Sequence, residues 1–287
     1  MTAHNEWYIE KTTNIRKAAL LSCHYCGYTM AMPQKCPDCG SKYIAPFGTG
    51  TQKLEIETKR IFPQARVLRM DADSTSRKDA HEKILSAFRS GEADILIGTQ
   101  MIVKGHDFPG VTLVGIVAAD QSINVPEYTA SERTYQLLTQ AAGRSGRGKE
   151  TGDVVIQSYA PEHYAIQMAA GRNYVDFYER EMSFRHLMKY PPEEALMTVR
   201  FSSADEELLN EAAQDATEKL KETAGYEGVC IIGPCNAGVY KVNDIFRKVI
   251  YMKFRGRHRL IELRNIMTEH SLKKYGDRKL FINYDIK

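Results

Sequence analysis

Two short runs hold the residue types best suited to chemistry on a phosphate: Gly98–His106 (GTQMIVKGH) and Gln140–Arg147 (QAAGRSGR). In the second run Arg144 and Arg147 stand three apart among glycines at the end of a helical pattern, with Gln140 one turn earlier. Guanidinium groups are planar forks that match phosphate oxygens. One of them aimed at a γ-phosphate stabilises transition-state charge, an effect worth about 10³–10⁵ in rate. Arginines that merely cap a helix C-terminus are the plainer reading, and the first run argues against it. There, Ile95-Leu96-Ile97 reads as a strand feeding a small polar turn of Gly98, Thr99 and Gln100, followed by Gly105 and His106. Ligands collect at such carboxyl ends of parallel sheets. Together the runs read as the second half of a nucleic-acid-dependent ATPase site. The first half would be a Walker A loop, Gly-x-x-x-x-Gly-Lys-Ser/Thr, and the 287 residues contain none. Residues 143–149 imitate one, but Glu150 stands where Ser or Thr must hold Mg²⁺, and a helix precedes them where a P-loop follows a strand.

A second constellation lies near the start. Cys23-x-x-Cys26-Gly27 and Cys36-x-x-Cys39-Gly40 are two knuckles separated by nine residues. Four thiolates at that spacing suit tetrahedral Zn²⁺ in a structural role, because four protein ligands leave no position for a catalytic water. Binding could contribute on the order of 10 kcal/mol to a segment that has little core of its own. Cys230 and Cys235 read as ordinary small residues.

The elements that must position these groups fall into three regions. Residues 1–47 carry the cysteines and many turn formers. Residues 48–189 alternate helix and strand signals, which predicts a parallel α/β layer. The strands are expected at Ala65–Met70, Ala93–Ile97, Val111–Ala118 and Asp153–Tyr159, and the helices after Gly50, at Arg77–Phe88 and at Ser131–Ala142. The apolar run Val111–Ala118 reads as buried on both faces. Tyr174, Phe177, Tyr178 and Phe184 read as packing. Residues 190–287 read strand (Leu196–Phe201), helix (Asp205–Thr223), strand (Gly228–Ile232), a Gly-Pro turn, strand (Ile245–Phe254), helix (Arg259–His270) and strand (Lys279–Tyr284). That is the βαββαβ order of a split ferredoxin-like module.

Composition sets limits. There is no apolar run of membrane-spanning length and no secretory leader, and the paired cysteines suit a reducing compartment. The net charge of +3 conceals 13 Lys/Arg against 5 Asp/Glu between Lys241 and Lys287, a local +8 on a body of −5. An anionic partner is expected at that end. Arg247, Lys248, Lys253, Arg255, Arg257 and Arg259 alternate there with aromatic residues, a composition suited to backbone contact and base stacking on single strands. Phe246 and Phe254 read as core.

The ordered set CHYCG, CPDCG, FGTGTQ, RMDADST, GTQMIVKGHDFP, QAAGRSGRG and YPP resembles the C-terminal half of the primosomal protein N′ (PriA) family of superfamily 2 replication-restart helicases, from about Leu21 onward. The resemblance implies a RecA-like second helicase lobe, with GTQMIVKGHDFP as motif V and QAAGRSGR as motif VI. Arg147 would be the arginine finger beside Arg144 and Gln140, while Gly98, Thr99, Gln100, Gly105 and His106 couple ATP to DNA. Gly48-Thr49-Gly50-Thr51 resembles the loop that opens the lobe.

It further implies a bacterial cytoplasmic protein of replication restart. Its expected partners are forked DNA, single-stranded DNA-binding protein and other primosome and helicase-loading proteins. ATP and Mg²⁺ would bind only with a first lobe that this sequence does not contain. The family places eight cysteines in the zinc insertion, and only the last two pairs stand here. Either the four share one ion or the module is incomplete. The chain is therefore expected to be a piece of a longer protein, inactive by itself as an ATPase. A non-catalytic zinc-containing DNA-binding adaptor built on a helicase lobe is the alternative. A pure adaptor has no need for Gln140, Arg144 and Arg147 on one turn.

Overall fold

The computed structural model describes residues 7–10, 20–23, 29–31, 33–35, 40–42, 50–71, 74–75, 80–103, 108, 110–146, 152–225, 228–276 and 278–287. Near the start, β1 (Trp7–Glu10), β2 (Leu20–Cys23) and β3 (Thr29–Ala31) form an antiparallel sheet in that order. Contacts divide the chain into two compact units, Phe47–Met182 and the remainder.

In the Phe47–Met182 unit α1 (Thr51–Ile61) leads to β4 (Val67–Met70), α2 (Ala80–Arg89) and β5 (Ile95–Gly98). Next come β6 (Leu113–Ile116), the short α3 (Asp120–Ile123), α4 (Ala130–Ala142), β7 (Asp153–Ile156), α5 (Tyr164–Ala170) and α6 (Tyr174–Met188), which runs on past Met182. β4 pairs with β5 and β6 with β7, both parallel. This is mixed α/β content with parallel strand pairs. Among the described residues, however, the four strands form two separate ladders and not one layer. Each pair gathers its own core. Met70, Leu85 and Phe108 close over β4–β5, while Ala119, Tyr135, Leu138, Ala165, Ile166 and Phe177 close over β6–β7.

The expectation that Val111–Ala118 is buried on both faces is overturned. Register places Gly115 beside Val155 on one face, with Leu113 two residues away, and Leu113 and Val155 are 62% and 59% exposed. The face of Ile116 and Ile156 meets one core, and Val111, before β6, packs against the other. The aromatic set on α6 packs unevenly. Phe177 is buried, whereas Tyr174, Tyr178 and Phe184 are exposed and touch one or two other rings each, Tyr135, Tyr174 and Tyr190 among them.

From Ala195 the chain runs β8 (Ala195–Ser203), α7 (Glu206–Ala224), β9 (Cys230–Val242), β10 (Ile245–Phe254), α8 (Arg257–Tyr275) and β11 (Phe281–Ile286). The sheet order is β11-β8-β10-β9, with every neighbouring pair antiparallel. Asp205 caps α7, its Oδ1 accepting from the Leu208 amide at 3.0 Å, as expected of Asp at an N-cap. Leu209, Ala213, Ala216 and Leu220 recur at helical spacing and pack with Leu260, Leu263 and Met267 of α8 over Met197, Val199, Phe201, Ile250 and Met252. Phe246 and Phe254 pack against that core, as their alternation predicts. β9 differs from expectation: it runs through Gly233-Pro234, where a turn was predicted, and the pairing with β10 shifts register on the way. No helix of the described residues is long and apolar enough to cross a membrane.

Candidate functional site

The arginine turn is held at both ends. α4 buries Thr134, Tyr135, Leu138, Ala141 and Ala142, which share one helical face and leave Gln140 exposed. The helix closes at Gly143, whose amide donates to Thr139 O at 2.9 Å, and the Arg144 amide donates to Ala141 O at 3.0 Å. The chain then turns through Gly146 at φ +72°, a conformation that favours glycine. The Gly146 amide donates to Val111 O at 3.1 Å, and the buried Ser145 Oγ donates to Asp153 O at 3.0 Å. Gly152 lies so close that a Cβ there would overlap Ser145 Oγ. Arg144 is half-buried on this turn. Arg147 lies outside the described residues.

An aromatic stack behind the turn was not foreseen. Tyr135 of α4 stacks on Phe177 of α6 with centroids 4.1 Å apart, Phe177 on Tyr164 at 5.9 Å, and Tyr164 on His163 at 4.7 Å. Tyr164 Oη donates to the buried Glu181 carboxylate at 2.7 Å, so this buried charge has a partner. Burial pushes the His163 imidazole below its ordinary value, which keeps it neutral while Nδ1 accepts from the Ala165 amide. Tyr135 could have been singled out by its phase with Leu138 and Ala142. Glu181 gave no such signal, being a carboxylate on a helix that looks solvated.

Gly98, Thr99 and Gln100 end β5 and start a single 3₁₀ turn, Gln100–Ile102. A Cβ at Gly98 would sit 2.5 Å from Met70 O and 2.6 Å from Ile102 Cγ2, so a side chain has no room there. Thr99 and Gln100 are exposed at the carboxyl end of the strand. Gly105 and His106 lie outside the described residues. The far end of the same loop returns at Phe108, which is buried against Phe88 with ring centroids 5.1 Å apart, and the Val111 amide donates to Phe108 O at 3.1 Å. Since Gly146 is bonded to Val111, the arginine turn adjoins the end of this loop at the amino ends of β6 and β7. The carboxyl-end placement argued from sequence holds for Thr99 and Gln100, and Arg144 follows the end of α4 as its position among glycines predicted.

Asp71, just past the end of β4, lies in the RMDADST run, to which sequence reasoning gave no separate role. It accepts from Thr51 Oγ1 at the start of α1, from the Ser74 amide at 2.9 Å and from Arg69. Burial pushes its carboxyl up, but these bonds outweigh burial and hold it below the usual carboxylate range.

The basic residues of the C-terminal sheet separate. Arg247, Arg255 and Arg257 are exposed. Lys248 lies on the core side of β10, opposite Phe201. Lys253, expected on the DNA-facing surface, is instead 6% exposed: Nζ donates to Met188 O at 2.9 Å and lies over the Tyr190 ring, 3.6 Å from its centroid. Burial lowers its pKa. Arg259 is also engaged within the module, donating to Thr223 O at 3.2 Å and pairing with Glu262 at 3.0 Å.

Of the cysteines, Cys23 closes β2, with its side chain outside the described residues, as are Cys26, Cys36 and Cys39. Gly40, directly after Cys39, has φ +69°, the conformation a knuckle glycine must adopt.

The helicase conserved C-terminal domain family matches residues 44–149, a span that includes both chemical runs. The chain is 42% identical over 266 residues to replication restart protein PriA of Bacillus subtilis, covering 93% of this chain and 33% of that protein. It is 41% identical over 235 residues to PriA of Synechocystis, covering 82% and 28%, and 32% identical over 266 residues to PriA of Haemophilus influenzae, covering 93% and 36%. The chain thus spans about a third of the length of these curated relatives.

Proposed function

The chain belongs to the PriA replication-restart family, and from that premise we propose that it provides the arginine-bearing second lobe of an ATP-dependent 3′-to-5′ DNA helicase. That helicase restarts stalled replication forks in the bacterial cytoplasm and helps to assemble the primosome. The observation that carries the reading is the turn after α4, fastened to Val111 and to Asp153. Such fastening holds the backbone of Arg144 in a preset position, which lowers the reorganisation cost at the moment of reaction. Arg147 acts as the finger on the γ-phosphate, with Arg144 and Gln140 beside it. Gly98, Thr99, Gln100, Gly105 and His106 link nucleotide state to DNA. ATP and Mg²⁺ are held by a Walker A lobe elsewhere in the assembly.

Cys23, Cys26, Cys36 and Cys39 hold structural Zn²⁺, a reading supported by the all-thiolate donor set and the left-handed Gly40. Bound zinc staples the segment and takes no part in hydrolysis. A metal assay is expected to return one ion per chain, and two would exclude the shared site. The C-terminal sheet module supplies contact to forked DNA and to single-stranded DNA-binding protein.

The test is DNA-stimulated ATP hydrolysis, measured for the chain alone and for the chain joined to the Walker-A-bearing part of a full-length relative. No hydrolysis is expected alone. The joined protein should show activity that Arg147→Ala lowers by about 10³-fold. DNA-stimulated, Arg147-dependent hydrolysis by the chain alone would sink the reading.

A further inference from the structure

The C-terminal sheet has two faces of different character. One, carrying Phe201, Ile250, Met252 and Ile282, is sealed by α7 and α8. Register orders the other. Phe281, Ser202 and Arg247 form one cross-strand row on β11, β8 and β10, and Asn283, Arg200, Val249 and Cys235 form the next. This second face is closed at one end, where Leu196 and Thr198 are buried and Lys253 is bonded to Met188 beneath Tyr190. Its other half is open. Phe281 is 68% exposed, the Arg200 side chain is 53% exposed, and Arg247 and Asn283 are exposed. Lys279, also exposed, precedes Phe281 by two residues. Among the described residues, Asp285 in the following row pairs with the Arg200 guanidinium at 4.0 Å.

We propose that this open half-face is a platform for single-stranded nucleic acid, with the Phe281 ring stacking a base and Arg247 and Arg200 meeting consecutive phosphates. The inference rests on the reading that the module binds DNA. It moves the contact away from the helix-start cluster of Arg255 and Arg257 and onto the sheet. Three properties coincide here. Neighbouring strands lie about 4.8 Å apart, which sets Phe281 and Arg247, on either side of Ser202, about 10 Å apart in one row. The exposed ring offers a π-face that any unpaired base can use, and the guanidinium groups supply the charge a polyanion needs. A duplex keeps its base faces inside the stack and leaves Phe281 without a partner. An acidic peptide would engage the arginines but offers the ring nothing in return.

The test uses the full chain and two fluorescent probes, an oligothymidylate and a blunt duplex of equal length, read by anisotropy at low and moderate salt. Phe281→Ala is expected to weaken oligothymidylate binding about tenfold and duplex binding by less than about twofold. Phe281→Tyr, which keeps the ring, should retain single-strand affinity and so separates stacking from folding. Arg200→Gln with Arg247→Gln should reduce the salt slope by roughly one per cation. If Phe281→Ala binds like the parent while Arg255→Gln with Arg257→Gln loses affinity, the module binds DNA at the helix start and the platform is wrong. If the parent chain binds neither probe, the DNA reading of the module falls with it. If the face variants lose an acidic peptide but keep oligothymidylate, the face is a peptide dock and the proposal is overturned.

Discussion

The rings of Tyr135 and Phe177 lie 4.1 Å apart and within 13° of parallel, joining the helix that precedes the arginine turn to α6. Both residues are buried. Phe177→Ala removes an inner ring of the stack and should cost the Phe47–Met182 unit about 3–5 kcal/mol. Denaturant unfolding followed by tyrosine fluorescence should show an earlier transition for that unit. An unchanged midpoint would show that α4 is held by other contacts.

Gly98→Ala tests the close approach at the end of β5. The new methyl would meet Met70 O and Ile102 Cγ2 at about van der Waals overlap, and one of these partners is backbone. A loss of about 1–3 kcal/mol is expected, as for other forced insertions into packed sites. Amide shifts at Thr99 and Gln100 should accompany it, since the strand end has to move. A fully stable variant with native shifts would contradict the packing described.

Among the basic residues near the start of α8, stability should separate those that face water from those that do not. Arg259→Ala frees the Thr223 carbonyl and the Glu262 carboxylate and should cost about 1–3 kcal/mol. Arg255→Ala and Arg257→Ala, at exposed positions, should stay within about 0.5 kcal/mol of the parent. Thermal melts of the three variants decide it.

Acid should loosen the start of the β4–β5 pair. Asp94 accepts from Arg66 through the backbone amide, Nε and NH2, and these bonds, led by the side-chain pair, lower its pKa from 3.8 to about 2. A folded-state value below the unfolded one stabilises the native state above pH 3.8, and that contribution is lost as pH falls through about 2. An Asp94→Asn variant should show a flatter dependence of stability in that window. Equal slopes in parent and variant would remove Asp94 from the account.

Much of the element order was legible because local signals agreed. Asp205 and the Leu209–Ala213–Ala216–Leu220 stripe mark α7 to within a residue of its observed ends, and the alternation in IFRKVIYMKF marks β10 at both ends. What sequence misjudged depended on partners far along the chain. Lys253 reads as surface because lysine seldom buries, yet Met188 O and the Tyr190 ring, both more than sixty residues earlier, replace its water. β6 reads as doubly buried because its residues are apolar. Whether a second layer covers Leu113 and Val155 is a tertiary matter that strand composition does not encode. The arginine turn was legible as the glycine-rich end of a helix. Its fastening was not, since Gly146 to Val111 and Ser145 to Asp153 are pairings that glycines and a serine do not announce.

Those two fastenings also make the pairing of β6 with β7 and the placement of the Arg144 backbone a single event. The Gly146 bond ends on the approach to β6 and the Ser145 bond on the first residue of β7. A one-residue slip of either strand would exchange its inner and outer faces and would undo one or both fastenings in the same step. A chain that has folded with the wrong register therefore cannot present Arg144 correctly, and proofreading of the sheet comes built into the placement of the charge.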